Sequence, residues 1–469
     1  MRSHSRVVFL AALLLLSALA LKADTPPGDS SVPLSLDEAV KRASTASVSV
    51  RSAAALAESA EKQVQEAAAA YLPTISTSVS GAWLANPPVG VTVAKGSLGE
   101  LQTAPASPPY PLPSSDMVIV PNAENSYFKG NVTLSQPILA WGTIGAGVEL
   151  AKLEARMAAL GLSGSRLDAE RDAKRSYDAA LLARDSVAVL NVLHSLAASD
   201  AADAERALVA GTTTKAAVLL AEYRLSDLDS RLVDAEEGEK SAMTGLAILA
   251  RLGDEKVMLS SALRDSLPPL DETKILAAAL ASSTEGGEAR VKLSEAARKL
   301  DLERGRSILR PDIAAFASLD ASGQTPPNFS TSWMDSTWAW DLSIGLDMKM
   351  DIFDGGASMA RTASAKASLA AARIGVEGAD DSVRLAVRDG IAAARKAAAA
   401  VSAKAAQAAW AIEALRSAKV SLDAGMLGRP DYNAAAMAEA SARLDLLSAR
   451  YVLSETVADL ERLAGGTLP

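Results

Sequence analysis

The residue types that most often carry catalytic or metal chemistry are scarce in this chain. Its 469 residues include no cysteine and two histidines, His4 and His194. Without cysteine, the chain cannot hold a disulfide scaffold, a thiolate metal site or a lipid-modified N-terminal cysteine. The sequence shows no phosphate-binding loop, no metal-ligand spacing and no nucleophile–base pair. We therefore expect no catalytic residue, no cofactor and no metal site.

Charged side chains instead follow a strand-like pattern in one stretch. Asp347, Lys349 and Asp351 alternate with apolar residues, and successive side chains of a strand point to opposite faces. The charges would share one face, and Leu342, Ile344, Leu346, Met348, Met350 and Ile352 the other. This suits a strand between a water-filled lumen and lipid, so we expect Asp347, Lys349 and Asp351 to line a barrel lumen. A small soluble sheet with one buried face is the alternative.

Three further stretches alternate in the same way, at residues 74–83, 128–139 and 312–321. Each is about ten residues long, the length of a transmembrane β-strand. Aromatic residues flank the four strands like the two girdles of a barrel: Trp83, Trp338 and Trp340 at the loop end, and Tyr71, Trp141 and Phe353 at the other. Four strands cannot close, and lipid does not tolerate an open sheet edge. Copies must therefore pool strands, and three copies would give a twelve-stranded barrel.

Each strand pair leads into a very long helix, predicted from Gly142 to about Ala210 and from Gly356 to about Ala424. Some 65 helical residues would span about 100 Å. A heptad seam typical of a coiled coil runs from Ile391 through Ala408 to Ile412 and Leu415. Four residues mark the predicted change from barrel to tunnel: Pro137, Gly142, Gly355 and Gly356.

The same plan occurs twice, which predicts an internal duplication. We divide the chain into a signal peptide (1–23), a first repeat (24–253), a linker (254–270) and a second repeat (271–469). The shorter elements predicted are one helix from Leu36 to about Ala70, a helix at 272–309 interrupted near Gly286 and Gly287, and an aperiodic loop at 86–125.

The N-terminus has a positive start, an apolar run from Val7 to Leu21 and small residues near Ala23, the pattern of a cleaved signal peptide. A membrane anchor is the alternative, but the run is short for a spanning helix, which needs about 20 residues. No later stretch is predicted to cross a membrane as a helix. The net charge of −9 argues against nucleic acid as a partner.

Six short motifs occur in order along the chain: residues 34–39 (LSLDEA), 71–75 (YLPTI), 134–139 (LSQPIL), 206–211 (RALVAG), 350–356 (MDIFDGG) and 422–425 (LDAG). In this order the sequence resembles the TolC-like outer-membrane efflux proteins over nearly the whole mature chain. The resemblance implies a mixed α/β membrane protein, a homotrimer whose twelve-stranded β-barrel continues into a long antiparallel α-helical coiled-coil tunnel in the periplasm. It also implies docking to a periplasmic adaptor (membrane fusion) protein and an inner-membrane transporter.

The resemblance also assigns roles to the two helix turns. It implies that they form periplasmic tips that contact the adaptor: Ala210, Gly211, Thr212, Thr213 and Thr214 in the first, and Ala424, Gly425, Met426, Leu427 and Gly428 in the second. Asp431, with Arg429 beside it, is the candidate gate of the pore entrance, since three crowded carboxylates favour protonation or cation binding. Alternatively, Asp431 is a helix N-cap or first-turn acid. Ala217 and Ala434 stand where the family pattern carries acids.

The preferred function is a passive exit duct of a tripartite efflux or type I secretion system in the bacterial outer membrane, extending into the periplasm. It would export small molecules or proteins, with energy supplied by a partner pump. The main alternative is a structural coiled-coil or adhesin-like envelope protein, with the helices as stalk and the strands as head. A periplasmic adaptor is a third possibility, but the β-rich domains that an adaptor needs are not found.

Overall fold

The computed structural model describes residues 32–87, 89–101, 108–120, 126–253, 257–306, 310–323 and 338–469. The predicted signal peptide lies outside these ranges. The described helices are α1 Leu36–Ala46, α2 Val48–Ala69, α3 Thr143–Val209, α4 Lys215–Ala250, α5 Glu272–Ser282, α6 Thr284–Gly305, α7 Ala357–Asp423 and α8 Arg429–Leu463. The described strands are β1 Val32–Leu34, β2 Thr74–Trp83, β3 Val91–Val93, β4 Glu100–Leu101, β5 Tyr110–Pro111, β6 Met117–Val120, β7 Ser126–Leu139, β8 Val257–Leu259, β9 Asp312–Gly323 and β10 Trp338–Lys349.

The four predicted strands are confirmed and form one antiparallel sheet in the order β10-β9-β7-β2. The outer strands of this sheet are therefore β2 and β10. One prediction was wrong at the end of β10, because the strand stops at Lys349 and Asp351 lies beyond it. Beyond Lys349 the backbone departs from the strand towards the turn at Gly355 and Gly356. The alternation of apolar and polar residues therefore continues in the sequence after the hydrogen-bonded ladder has ended.

The segment predicted as an aperiodic loop contains two small antiparallel pairs, β3 with β6 and β4 with β5. That prediction was wrong where these strands lie. Each paired strand has four residues or fewer. A dyad pattern cannot be recognised over so few positions, and proline and glycine separate the pieces.

Two of the helix predictions were wrong in detail, because each helix is divided in two at a serine. The first predicted helix is divided at Ser47, whose side chain accepts a hydrogen bond from the amide of Val50 and so caps α2. The second break lies at Ser283, between α5 and α6, and not at Gly286 and Gly287. A Cβ at Gly287 would lie 3.1 Å from the side chain of Leu160, so this glycine permits close helix packing.

The long helices are confirmed, since α3 and α7 each contain 67 residues without interruption. The heptad seam of α7 is confirmed in part, since its buried members are Ile391, Ala394, Val401 and Ala408. Ala398 and Ala405 are half-buried, and Ile412 is 48% exposed while its neighbour Ala411 is buried. Among the described helices, α3 alone contains an 18-residue window with a mean hydropathy of 1.2, weak evidence for a membrane span.

The chain forms two compact units. The sheet unit comprises Ala53–Leu162 and Thr284–Ser382, and contains the four-stranded sheet. The helical unit comprises the described parts of Met1–Ser52, Ser163–Ser283 and Val383–Pro469. Each unit takes residues from both predicted repeats, so the division into repeats stays a prediction.

The core of the helical unit is a series of apolar layers. Val387 and Ile391 of α7 pack with Leu460 of α8 and Ile275 of α5 in one layer. Val401 packs with Leu453 and Val457 in the next. A third group surrounds Tyr177 of α3 and includes residues of β1, α4 and β8. The layers fix α7 against α8 and α3 against α4, because burying each large apolar side chain contributes about 1.5–3 kcal/mol.

The predicted linker is also part of this core. Its strand β8 pairs in parallel with β1, with Leu34 opposite Leu259. We call residues 257–271 the strap. The sequence did not predict this pairing, since three-residue strands more than 200 positions apart leave no local pattern.

Candidate functional site

The four-stranded sheet has one apolar face and one polar face. Leu342 and Ile344 of β10 lie opposite Leu319 and Ala317 of β9, which lie opposite Val132 and Leu134 of β7. On β10 this face is open, since Leu342, Ile344, Leu346 and Met348 are all more than 60% exposed. A row of bare apolar side chains is costly in water and favourable against hydrocarbon. The alternation predicted from sequence is thus confirmed, and this face can contact lipid.

The polar face carries a hydrogen-bonded network across two strands. The side-chain amide of Asn131 donates to Ser318 Oγ at 2.9 Å and to Asp320 Oδ1 at 2.8 Å. Ser318 Oγ donates to Asp320 Oδ2 at 2.6 Å, and Thr133 Oγ1 donates to Asn131 Oδ1 at 2.8 Å. These polar side chains can remain fully hydrogen-bonded on a face that water contacts. The sequence placed Asn131 and Thr133 on this face, but it did not predict the bonds between strands.

Two of the three predicted lumen residues belong to the polar face of β10. Asp347 lies opposite Ala314, and Lys349 lies opposite Asp312. Asp351 is exposed and lies two residues beyond the strand, so its place on a barrel wall is not supported. Asp341 lies opposite Asp320 on the same face, although it was not among the predicted lumen residues.

Aromatic residues lie at both ends of the sheet. Trp83 ends β2 and Trp338 begins β10, so both lie at the same end of the sheet. Tyr71, Trp141 and Phe353 flank the opposite end, and all three are exposed. Trp338 packs over Gly323, where an added Cβ would lie 2.8 Å from the indole ring. Any larger residue at position 323 would displace this tryptophan.

Glycine residues turn the chain from strand to helix at both joints. Gly142 precedes α3 with φ 79°, while Gly355 and Gly356 precede α7 with φ 67° and 89°. These left-handed conformations are costly for residues that carry a Cβ. Pro137 lies earlier, within β7, where the register with β9 shifts. Proline has no amide hydrogen for the ladder, and an irregularity of this kind is where a strand accommodates it.

The second joint is further held by Asp354. Its carboxylate accepts hydrogen bonds from the amides of Gly356 at 3.1 Å and Ser358 at 2.7 Å. These bonds satisfy amides at the start of α7, which have no partner within the helix. At the first joint, Trp141 Nε1 donates to the carbonyl of Pro311 at 2.8 Å. Both joints are therefore fixed by side chains as well as by glycine.

The two predicted tips are tight turns of similar construction. The turn after α3 contains Gly211 at φ 70°, and the turn after α7 contains Gly425 at φ 70°. The amide of Thr212 donates to Ala207 at 2.9 Å, and that of Met426 donates to Ser421 at 2.9 Å. In each case a glycine in the left-handed conformation ends the long helix. The remaining predicted tip residues, Ala210, Thr213, Thr214, Ala424, Leu427 and Gly428, lie at the ends of these helices or within the turns.

Asp431 lies in the first turn of α8, where a carboxylate favours the positive end of the helix dipole. The N-cap of this helix is Gly428, so Asp431 is not the cap. Arg429 Nη1 lies 3.2 Å from Oδ2 of Asp203, near the end of α3. Asn433 donates to Asp200 one turn further along both helices. Neither aspartate was predicted as a site residue, because no local pattern connects them with residues 226 and 233 positions away.

Comparison with known proteins agrees with this fold. The family model of the outer membrane efflux proteins matches residues 39–250 and 275–466. The Campylobacter jejuni CmeC outer membrane channel is 16% identical, with a TM-score of 0.68 over 92% of this chain and 86% of that chain. The outer membrane protein VceC of Vibrio cholerae is 15% identical, with a TM-score of 0.65 over 92% and 97%. The open Neisseria gonorrhoeae MtrE outer membrane channel is 18% identical, with a TM-score of 0.66 over 92% and 89%.

No curated protein sequence matches the chain. The family match nevertheless covers most of it and confirms the resemblance to TolC-like proteins. The family consists of channel proteins of the outer membrane that extend into the periplasm, and not of enzymes. The chain therefore belongs to the outer membrane efflux protein family.

Proposed function

We propose that this efflux channel is the passive exit duct of a tripartite efflux or type I secretion system. The carrying observation is the four-stranded sheet with one bare apolar face, one polar face and two outer strands, β2 and β10. Three copies would join β2 of one chain to β10 of the next and close a barrel of twelve strands. Closure provides hydrogen-bond partners for the backbone N–H and C=O groups along the free edges of β2 and β10, and lipid cannot provide them.

In this proposal the long helices of the three chains form the periplasmic tunnel. The turns at Gly211 and Gly425 are the tips that contact a periplasmic adaptor, and an inner-membrane transporter supplies the energy. Cargo, either small molecules or proteins, passes from periplasm to exterior without catalysis. The family match and the uninterrupted α3 and α7 support this proposal, which needs no nucleotide or metal site in the chain.

The repeat organisation belongs to the same proposal. We infer that residues 24–253 and 271–469 descend from one ancestral unit. The two family matches, 39–250 and 275–466, fall one within each repeat. Within each repeat, two sheet strands precede a helix of 67 residues and a shorter return helix.

Bilayer conductance of the purified protein tests the exit duct. We expect outer-membrane fractions to yield a heat-modifiable trimer that conducts ions in planar bilayers without ATP. A structural stalk protein would insert no pore. A water-soluble monomer that never conducts would contradict the duct and favour the coiled-coil alternative.

Replacing Arg429 tests whether the contact between the tips keeps the entrance narrow. Arg429→Ala removes the ion pair that links the start of α8 to Asp203 near the end of α3. One exposed pair contributes up to about 1 kcal/mol, so three pairs would change the open-to-closed ratio by up to about 100-fold. We expect the open probability of single channels to rise, and Asp203→Asn to raise it equally.

The matched control for that experiment is Arg416→Ala, which breaks an exposed pair with Glu413 within α7. It should leave the open probability unchanged. If Arg429→Ala and Asp203→Asn act additively when combined, the two residues do not act as a pair and this part of the proposal is wrong.

Replacing Asp431 tests the proposed ring of carboxylates at the entrance. In Asp431→Ala, three negative charges disappear, so we expect weaker block of the conductance by multivalent cations. The control Asp234→Asn removes an exposed carboxylate from α4 and should leave block unchanged. Unchanged block in Asp431→Ala would leave Asp431 with a role at the start of α8 only.

A further inference from the structure

One carboxyl group of the helical unit is buried without contributing to the proposed duct. Asp178 of α3 is 6% exposed. The hydroxyl of Ser454 of α8 hydrogen-bonds to it. The charged groups around it are Lys174 of α3, Arg264 of the strap and Glu461 of α8. Asp178 therefore lies where α3, α8 and the strap meet.

The strap is fastened at this position by hydrogen bonds to α3 and α8. Tyr177 Oη accepts from the amides of Ser260 at 3.1 Å and Ser261 at 3.0 Å. The amide of Arg264 donates to Ser454 Oγ at 3.3 Å. Residues next to Asp178 thus hold the strap, and the strap in turn supplies the arginine that faces Asp178.

The two nearby cations, Lys174 and Arg264, offset only part of the free-energy cost of burying a charged Asp178. Lys174 Nζ already lies 2.6 Å from Oε2 of Glu461, and Arg264 Nη2 lies 3.7 Å from Oε1 of the same residue. Two cations are therefore shared by two carboxylates, and Glu461 opposes the charge of Asp178. Burial is the largest influence and raises the pKa of Asp178 from 3.8 to about 6.

We propose that the strap is a pH-responsive cover over Asp178, closed when this carboxyl group is neutral and loosened when it is ionised. Because the pKa in the closed form lies above the ordinary value, closure favours the protonated acid. That stabilisation is complete at low pH and is lost as the pH rises through about 6. Opening lets water reach the carboxylate.

Hydrogen exchange of the strap amides tests this cover in full-length protein purified in detergent. The amides of Ser260, Ser261 and Arg264 are compared at pH 5 and pH 7.5, after correction for intrinsic exchange. The balance changes about tenfold per pH unit between the ordinary pKa of 3.8 and the closed-form pKa of about 6, and it is constant above that, so we expect about tenfold less protection at pH 7.5 than at pH 5. The midpoint should lie near pH 6.

Asp178→Asn should give high protection at both pH values, because a neutral amide replaces the acid. The control Asp172→Asn, on a half-exposed carboxylate of the same helix, should keep the wild-type profile. If the protection of the strap amides in the wild-type protein shows no midpoint near pH 6, the proposed pH-responsive cover is wrong. This result does not depend on whether Asp178→Asn folds. The same pH dependence in Asp178→Asn would also overturn the cover. Neither readout measures conductance, so either failure leaves the proposed duct untouched.

Discussion

Ile344→Lys is expected to abolish the membrane-inserted trimer, whereas Ser343→Lys, one residue away, is expected to preserve it. Ile344 lies in the middle of β10 on the apolar face and is 78% exposed. A lysine facing lipid at mid-membrane costs about 2–4 kcal/mol per chain, and three chains carry it in the proposed barrel. The measurement is the fraction of protein that migrates as a heat-modifiable trimer from outer-membrane extracts.

The pair is informative because the two residues differ in face and hardly in depth. Ser343 lies opposite Ser318 on the polar face, where water can solvate the new charge. Equal assembly of both variants would mean that the apolar face does not contact lipid. Equal loss of both would point to general damage of β10, and the lipid-facing assignment would then lose its support.

Tyr177→Phe is expected to lower the stability of the helical unit by about 1–3 kcal/mol. The hydroxyl donates to the carbonyl of Leu34 at 2.8 Å and accepts from the amides of Ser260 and Ser261. Tyr177 is fully buried, so loss of its hydroxyl would leave the amide of Ser261 without this partner away from water, whereas the carbonyl of Leu34 and the amide of Ser260 would keep the bond between them. Chemical unfolding followed by the helical circular-dichroism signal measures the loss.

The matched control is Tyr223→Phe, because the ring of Tyr223 on α4 is 66% exposed. Water can replace whatever its hydroxyl contacts, so we expect a change below about 0.5 kcal/mol. If the two variants unfold at the same denaturant concentration, Tyr177 does not fasten the strap, and the third core layer is held by apolar contact alone.

The sheet was predictable from sequence because alternate side chains of a strand lie on opposite faces, and here one face is apolar and the other polar. Apolar residues such as Ile75, Val132 and Ile344 recur with period two over ten positions or more, which no helix would produce. The long helices were predictable for a similar reason. Their small apolar residues keep a regular period along most of each helix, although near the end of the α7 seam the buried residue is Ala411 and not Ile412.

The contacts that join distant segments were not predictable. The pairing of Leu34 with Leu259 and the bond from Arg429 to Asp203 connect residues more than 200 positions apart. A surface arginine or a three-residue strand has no sequence pattern of its own that points to a distant partner. The helix breaks at Ser47 and Ser283 were not predicted for another reason. Serine is common within helices as well as at their caps, so its presence alone does not mark a break.

The candidate site was therefore predictable in part. Sequence identified the polar face of β10 and the glycines at Gly142, Gly211, Gly356 and Gly425, because alternation and left-handed turns have local signatures. It placed Asp351 on the strand in error. It could not identify the partners of Arg429 or the burial of Asp178, which depend on how α3 and α8 pack.

Cross-linking the outer strands tests the proposed closure most directly. The chain has no cysteine, so introduced thiols are the sole ones present. One cysteine replaces Ser343 on β10, and a second replaces Ser76, Ser78 or Ser80 on β2 in turn, since the register between copies decides which one faces Ser343. Ser318→Cys on the inner strand β9, combined with Ser78→Cys, is the control and should stay monomeric. We predict that one outer-strand combination oxidises in the membrane to a covalent trimer and stops there. Monomer in every combination, or a ladder beyond three chains, would contradict a barrel closed by three copies.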